Sequence, residues 1–162
     1  MFCKGDKIVY PIHGAGVIEK LERQEIDGAI QTMYVLRIPV VNLTIKIAAN
    51  NAESLGVRPI YTKEEIMNII QSVSHTPIDM PDNWNQRYKL NMERIKSGKL
   101  MEVAVVFRNL LLRERERGLS AAEKKMLTTA KQIILSELIL ANDTDRYQAE
   151  ELLINMFNEN IS

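Results

Sequence analysis

The chain changes its hydrophobic period once. Up to about residue 50, apolar side chains come in short β-rich runs: Lys7-Ile8-Val9-Tyr10, Val17-Ile18-Glu19-Lys20-Leu21, Thr32-Met33-Tyr34-Val35-Leu36-Arg37-Ile38 and Leu43-Thr44-Ile45-Lys46-Ile47. The last run alternates strictly, with Leu43, Ile45 and Ile47 on one face and Thr44 and Lys46 on the other, the period of a half-buried strand. Pro11, Gly14 and Gly16 read as turn residues after the first run, and Asp27-Gly28 as a hairpin turn that needs positive φ. Strands this short and few cannot form a broad sheet with two covered faces. They predict a small, strongly bent sheet or partial barrel, which hides most of its edges.

From Thr62 onward the period is helical, and helices are predicted over about 62–73, 83–97, 100–117, 120–142 and 145–160. Thr62 to Glu65 and Ser120 to Glu123 have the form of capping boxes. Pro81-Asp82-Asn83 stops one element and offers cap oxygens to the next, beginning near Trp84. Gly98, Gly118 and Asn142-Asp143-Thr144 mark the later breaks. Helix 100–117 is apolar from Val103 to Phe107 and again from Leu110 to Leu112, as suits the central helix of a bundle. Helix 120–142 gathers Met126, Leu127, Ala130, Ile133, Ile134, Leu138 and Ala141 on one stripe, and helix 145–160 gathers Ala149, Leu152, Leu153, Met156 and Phe157. The predicted class is α+β: a small β domain over residues 1–58, then an all-α domain of about five helices over 59–162.

Composition narrows the setting. The 162 residues are 46% apolar and 26% charged, a globular balance. No stretch approaches the ~20 apolar residues of a membrane span. The N-terminus lacks a secretory core, and the single cysteine, Cys3, suits a reducing compartment. The expectation is a cytoplasmic protein with no membrane contact. Net charge is zero but uneven, since residues 82–117 hold nine basic and five acidic groups between negative flanks. Such a local field can find a polyanion while global neutrality keeps nonspecific affinity modest. A solvated helix face gives the same count.

Little points to catalysis. His13 and His75 lie at no ligand spacing from each other or from Cys3, so no metal is expected. Gly14-Ala15-Gly16 lacks both the third glycine and the following helix of a phosphate loop. Carboxylates cluster in first turns and on faces expected to be solvated. The chain is therefore expected not to be an enzyme and to carry no cofactor.

The informative segment is Pro81-Asp82-Asn83-Trp84-Asn85-Gln86-Arg87-Tyr88-Lys89, which holds the only tryptophan. Trp84, Tyr88, Met92 and Ile95 recur at the spacing of a core-facing stripe. A first-turn residue also lies at the mouth of such a stripe, where a rigid ring beside cations and amides could stack on or wedge against a base. Both readings of Trp84 stand at this point.

The chain resembles the CarD/CdnL family of bacterial transcription regulators that bind RNA polymerase. The resemblance rests on Lys4-Gly5-Asp6 with Val9-Tyr10-Pro11 and His13-Gly14; Leu43-Thr44-Ile45-Lys46-Ile47; Asn51-Ala52-Glu53 with Gly56-Val57-Arg58; Asn83-Trp84 with Arg87-Tyr88-Lys89; and Glu116-Arg117-Gly118-Leu119-Ser120-Ala121 with Glu123-Lys124. It implies a Tudor-like or SH3-like N-terminal module docking on the polymerase β subunit, with Lys46, Gln24 and Thr44 at that contact. It further implies a helical domain at the upstream edge of the promoter bubble. There Trp84 would wedge into the minor groove, with Asn83, Gln86, Arg87 and Lys89 on the DNA, so that bubble collapse slows. Gln24 and Gln86 stand where some relatives carry arginine, and an amide supplies no charge. On residues alone, Lys46 reads equally as a lysine guarding a sheet edge. The alternative function is an adaptor on polymerase whose helical domain recruits another protein without touching DNA.

Overall fold

The structure is a computed structural model that describes residues 1–161, with side chains described up to Asn158. The first part of the chain forms an antiparallel sheet of β1 (Lys7–Tyr10), β2 (Gly14–Ile26), β3 (Ala29–Ile38), β4 (Leu43–Ala48) and β5 (Arg58–Pro59). The spatial order is β4-β3-β2-β1-β5, so β4 and β5 are the edges of an open sheet. The predicted hairpin is there: Ile26 pairs with Ala29 across Asp27 and Gly28, whose φ values of 53° and 80° suit a two-residue turn that follows the strand twist.

Gly14 and Gly16 differ from their expected role as turn residues. Both lie in β2, which starts earlier than the apolar run suggested. A β-carbon on Gly16 would stand 2.3 Å from the Arg37 carbonyl oxygen of β3. One on Gly14 would stand 2.6 Å from Ser136 Oγ in the helical region. These glycines permit close approach, which no local pattern reports.

Alternation sets the two faces of the sheet. Tyr34, Leu36, Ile38 and Ile47 join Ile8, Ile18, Ala52 and Val57 in a buried cluster on the inner face. Lys46, Val35 and Lys20 line up across β4, β3 and β2 on the opposite face, as do Thr44 and Arg37.

Five helices follow: α1 (Lys63–Ser74), α2 (Trp84–Lys96), α3 (Leu100–Glu116), α4 (Ala121–Asn142) and α5 (Arg146–Ile161). The α+β class expected from the change of period is what forms. Thr62 and Glu65 complete a capping box, each side chain bonding the other's backbone N–H at 3.2 Å. Ser120 makes only half of the second expected box: its Oγ accepts from Glu123 N–H at 3.2 Å, while the Glu123 carboxylate accepts from Arg87 and from the Ser120 hydroxyl. As predicted, α3 is central, buried all round from Val103 to Leu110.

Helix α4 is buried on more than its predicted stripe. Met126, Ala130, Ile133, Ile134 and Leu138 face the helical core, and Leu135, Ser136 and Glu137 are buried as well. The sheet covers this further face. Ser136 Oγ accepts from Ala15 N–H at 2.7 Å, and Lys7 Nζ donates to the Leu140 carbonyl at 3.0 Å. No helix among the described residues is long and apolar enough to cross a membrane.

Candidate functional site

The start of α2 and the start of α4 converge at Trp84. Asn83 caps α2 by accepting the Gln86 N–H at 3.0 Å, which fixes where the helix begins and so where the indole projects. Trp84 is 41% exposed. One face stacks on Tyr88, with centroids 5.2 Å apart and planes 16° from parallel. Its Nε1–H donates to Ser120 Oγ at 3.1 Å. The stripe predicted on α2 is thus graded: Ile95 is buried, Met92 and Tyr88 are half-buried, and Trp84 reaches the surface. Both earlier readings of Trp84 capture one end of this gradient.

Arg87 corrects an expectation. The resemblance implies a cation on DNA, yet the residue is 3% exposed and bonded to Glu123, itself 1% exposed. Its Nε and Nη2 donate to the two carboxylate oxygens at 2.7 and 3.1 Å. Its Nη1 donates to the carbonyls of Pro81 and Asp82 at 3.3 and 2.8 Å. The hydrogen bond from Arg87 holds the Glu123 carboxyl below its ordinary range, against the opposing effect of burial. The same bond raises the guanidinium above its own. Both shifts favour the charged pair, and four of the five N–H donors of Arg87 are already taken within the fold, at a site buried from any phosphate.

Ser120 joins this pair to the indole. Its hydroxyl accepts from Trp84 Nε1 and from the Glu123 N–H, and donates to Glu123 Oε1 at 3.3 Å. A hydroxyl has one proton and two lone pairs, so its capacity is filled. The result is a hydrogen-bonded cradle from Arg87 through Glu123 and Ser120 to Trp84, which fixes the ring before any partner arrives.

Exposed cations lie on the elements that build the cradle. Lys89 on α2, Lys124 and Lys125 in the first turns of α4 and Arg117 after α3 are all exposed. Lys125 lines a groove of about 240 Å³ with Tyr88, Met92 and Ile12. Arg117, Lys124 and Lys125 were missed by the site prediction. The contact that brings α4 to Trp84 spans 36 residues, and no local pattern announces it. Arg108, which also swelled the basic count of residues 82–117, is buried and donates to the carbonyls of Val73, Thr76 and Pro77. Asn83 and Gln86 are exposed, beside Trp84 on the same turn.

The outward sheet face carries the other predicted residues. Lys46 is 54% exposed, and Glu22 sits 3.0 Å from both Lys46 and Lys20. The hydrogen bond from Lys20, followed by that from Lys46, keeps the Glu22 carboxyl below its usual range. Arg37 Nη1 donates to Thr44 Oγ1 at 3.4 Å. Gln24 is exposed opposite Gln31, nearer the hairpin tip and with β3 between it and β4. The three residues share a face without forming one cluster. Among the described residues no group of His, Cys, Asp and Glu could hold a metal ion.

Residues 2–61 match the family model described as CarD-like/TRCF RID domain, and residues 65–154 match that described as CarD, C-terminal domain. The chain belongs to the CarD-like family. It is 40% identical over 138 residues to YdeB of Bacillus subtilis (strain 168), a protein named as a candidate transcription factor. The match covers 85% of this chain and 90% of YdeB. The family is one of transcription regulators that act with RNA polymerase. CarD-like membership agrees with a structure that offers a presented aromatic ring, surface cations and a charged sheet face.

Proposed function

We propose that this protein binds the RNA polymerase β subunit through the outward face of its sheet and stabilises the promoter open complex, with Trp84 as a wedge at the upstream edge of the bubble. The observation that carries this reading is the cradled indole: a large ring held at the surface by Tyr88 and Ser120, with exposed lysines on two helices beside it. An unanchored surface tryptophan would lose rotamer freedom on binding, whereas this one is already ordered. Wedging into a duplex costs a few kcal/mol of unstacking per step, and least where the strands are already separating. Lys89, Lys124, Lys125 and Arg117 supply phosphate contacts, which position the protein without reading sequence. Arg87 does not touch DNA in this mechanism; it holds the cradle.

On the sheet, Lys46 meets an acidic group of the polymerase, with Thr44 and Gln24 as polar neighbours. The setting is the bacterial cytoplasm, and the effect on a given promoter follows from which step limits initiation there. The test is open-complex lifetime with the matching bacterial polymerase after addition of competitor. Wild type is expected to lengthen the lifetime, and Trp84→Ala, still folded and still bound to polymerase, is expected to abolish the lengthening. Equal lifetimes for the two proteins would overturn the wedge and favour an adaptor that recruits another protein.

A further inference from the structure

Glu137 lies in the last third of α4, fully buried between the helical core and the sheet. An isolated carboxylate there would be strongly disfavoured, and this one takes three donors. Arg58 Nη1 and Nη2 reach its two oxygens at 2.8 and 2.9 Å, and the Tyr61 N–H reaches Oε2 at 2.7 Å. Arg58 belongs to β5, the two-residue edge strand paired with β1. Its Nε donates to the Gly98 carbonyl between α2 and α3 at 3.3 Å, and its guanidinium lies 4.3 Å from the centre of the Tyr61 ring. One side chain thus binds the sheet edge to α4, to the α2–α3 turn and to the segment entering α1.

Two close approaches flank this point. A β-carbon on Gly98 would stand 2.8 and 3.2 Å from Pro11 Cγ and Cβ, and Gly14 packs against Ser136. The interface is therefore close-fitting as well as charged, and a bidentate pair fixes orientation where apolar contact alone permits sliding.

We infer that the Arg58–Glu137 pair is a clasp that makes the sheet and the helices one rigid body, so that Arg58 and Glu137 are positioning residues for Trp84. This inference rests on the function proposed above. A ring anchored to polymerase only through the other end of the molecule acts at the bubble edge only if the intervening joint is stiff. The clasp sits on β5, the edge of the sheet opposite to β4 and its Lys46.

The experiment measures the joint and the function separately. Spin labels on the native Cys3, which is exposed, and on Glu151→Cys on α5 report the distance between the sheet and the helices. Wild type is expected to give one narrow distance distribution. Arg58→Met and Glu137→Gln are expected to broaden it while circular dichroism stays native, and to lose most of the Trp84-dependent open-complex lengthening while polymerase binding is kept. Arg58→Lys keeps a cation beside Glu137 without the bidentate fork, and is expected to fall between wild type and Arg58→Met in both the width of the distribution and the lengthening. A narrow distribution in both Arg58→Met and Glu137→Gln overturns the clasp. A broadened distribution with unchanged lifetime overturns its positioning role. If wild type itself gives no Trp84-dependent lengthening, the proposed function fails, and the distance distributions alone then decide whether the clasp exists.

Discussion

Two sets of basic and acidic side chains in this molecule look alike in composition and differ in everything else. Arg87 and Glu123 are sealed between α2 and α4, with four of the five guanidinium donors bonded within the fold. Lys20, Glu22 and Lys46 lie across an open sheet face, where water and salt compete for each charge. The first set is scaffolding that cannot be exchanged for a partner. The second can release a lysine to another carboxylate at little loss. Charge near a functional segment is therefore no guide to which cation does the binding; its accessibility decides.

Breaking the sealed pair from one side should give the largest effect. Arg87→Met leaves Glu123 buried without its cation and is expected to lower unfolding free energy by about 3–5 kcal/mol in urea titrations. Arg87→Met/Glu123→Leu removes both charges and should recover most of that loss. A double variant no more stable than the single one would show that the pair does not act as a unit.

The same pair sets an acid limit. Because the folded state holds Glu123 below its ordinary range, its contribution is present above the unfolded glutamate pKa of about 4.3 and fades as pH falls through the lower folded value. Wild type should therefore lose stability below about pH 5 more steeply than Glu123→Gln, measured as unfolding free energy against pH. Arg87 is shifted upward from an already high value, so its side of the linkage belongs to strongly alkaline solution.

Trp84→Ala should have a smaller effect on stability, about 1 kcal/mol, since a half-exposed ring loses mainly one stacking partner and one hydrogen bond. A much larger destabilisation in the same titrations would place the ring in the core and remove it as a wedge.

These contrasts show what the sequence could and could not reveal. The hairpin at Asp27-Gly28, the caps at Thr62, Asn83 and Ser120 and the stripe from Trp84 to Ile95 are local chemistry, and each was legible. Arg87, Glu123 and Glu137 were misread or passed over because their partners lie 36 and 79 residues away. A carboxylate in a first helical turn looks the same on paper whether it faces water or a guanidinium. Gly14 and Gly16 were misassigned for a related reason: the atoms they make room for belong to α4 and β3. On Trp84 the sequence pointed to the right residue and left its role open, because exposure at the end of a stripe depends on how the helices are stacked.

The open set offers the smallest expected effect on folding and the sharpest on binding. Glu22→Gln removes a carboxylate that faces water, so the melting temperature should stay that of wild type. If Lys46 meets an acidic group on polymerase, freeing it from Glu22 should tighten polymerase binding at low salt, and the gain should vanish near 1 M salt, where the screening length falls to about 3 Å. Lys46→Gln should weaken binding with the same salt dependence and the opposite sign. The lysine also lies on β4, an edge strand, where a charge deters pairing with another sheet. If edge protection were its whole role, both variants would bind polymerase as wild type does, and Lys46→Gln would differ only by aggregating at high concentration.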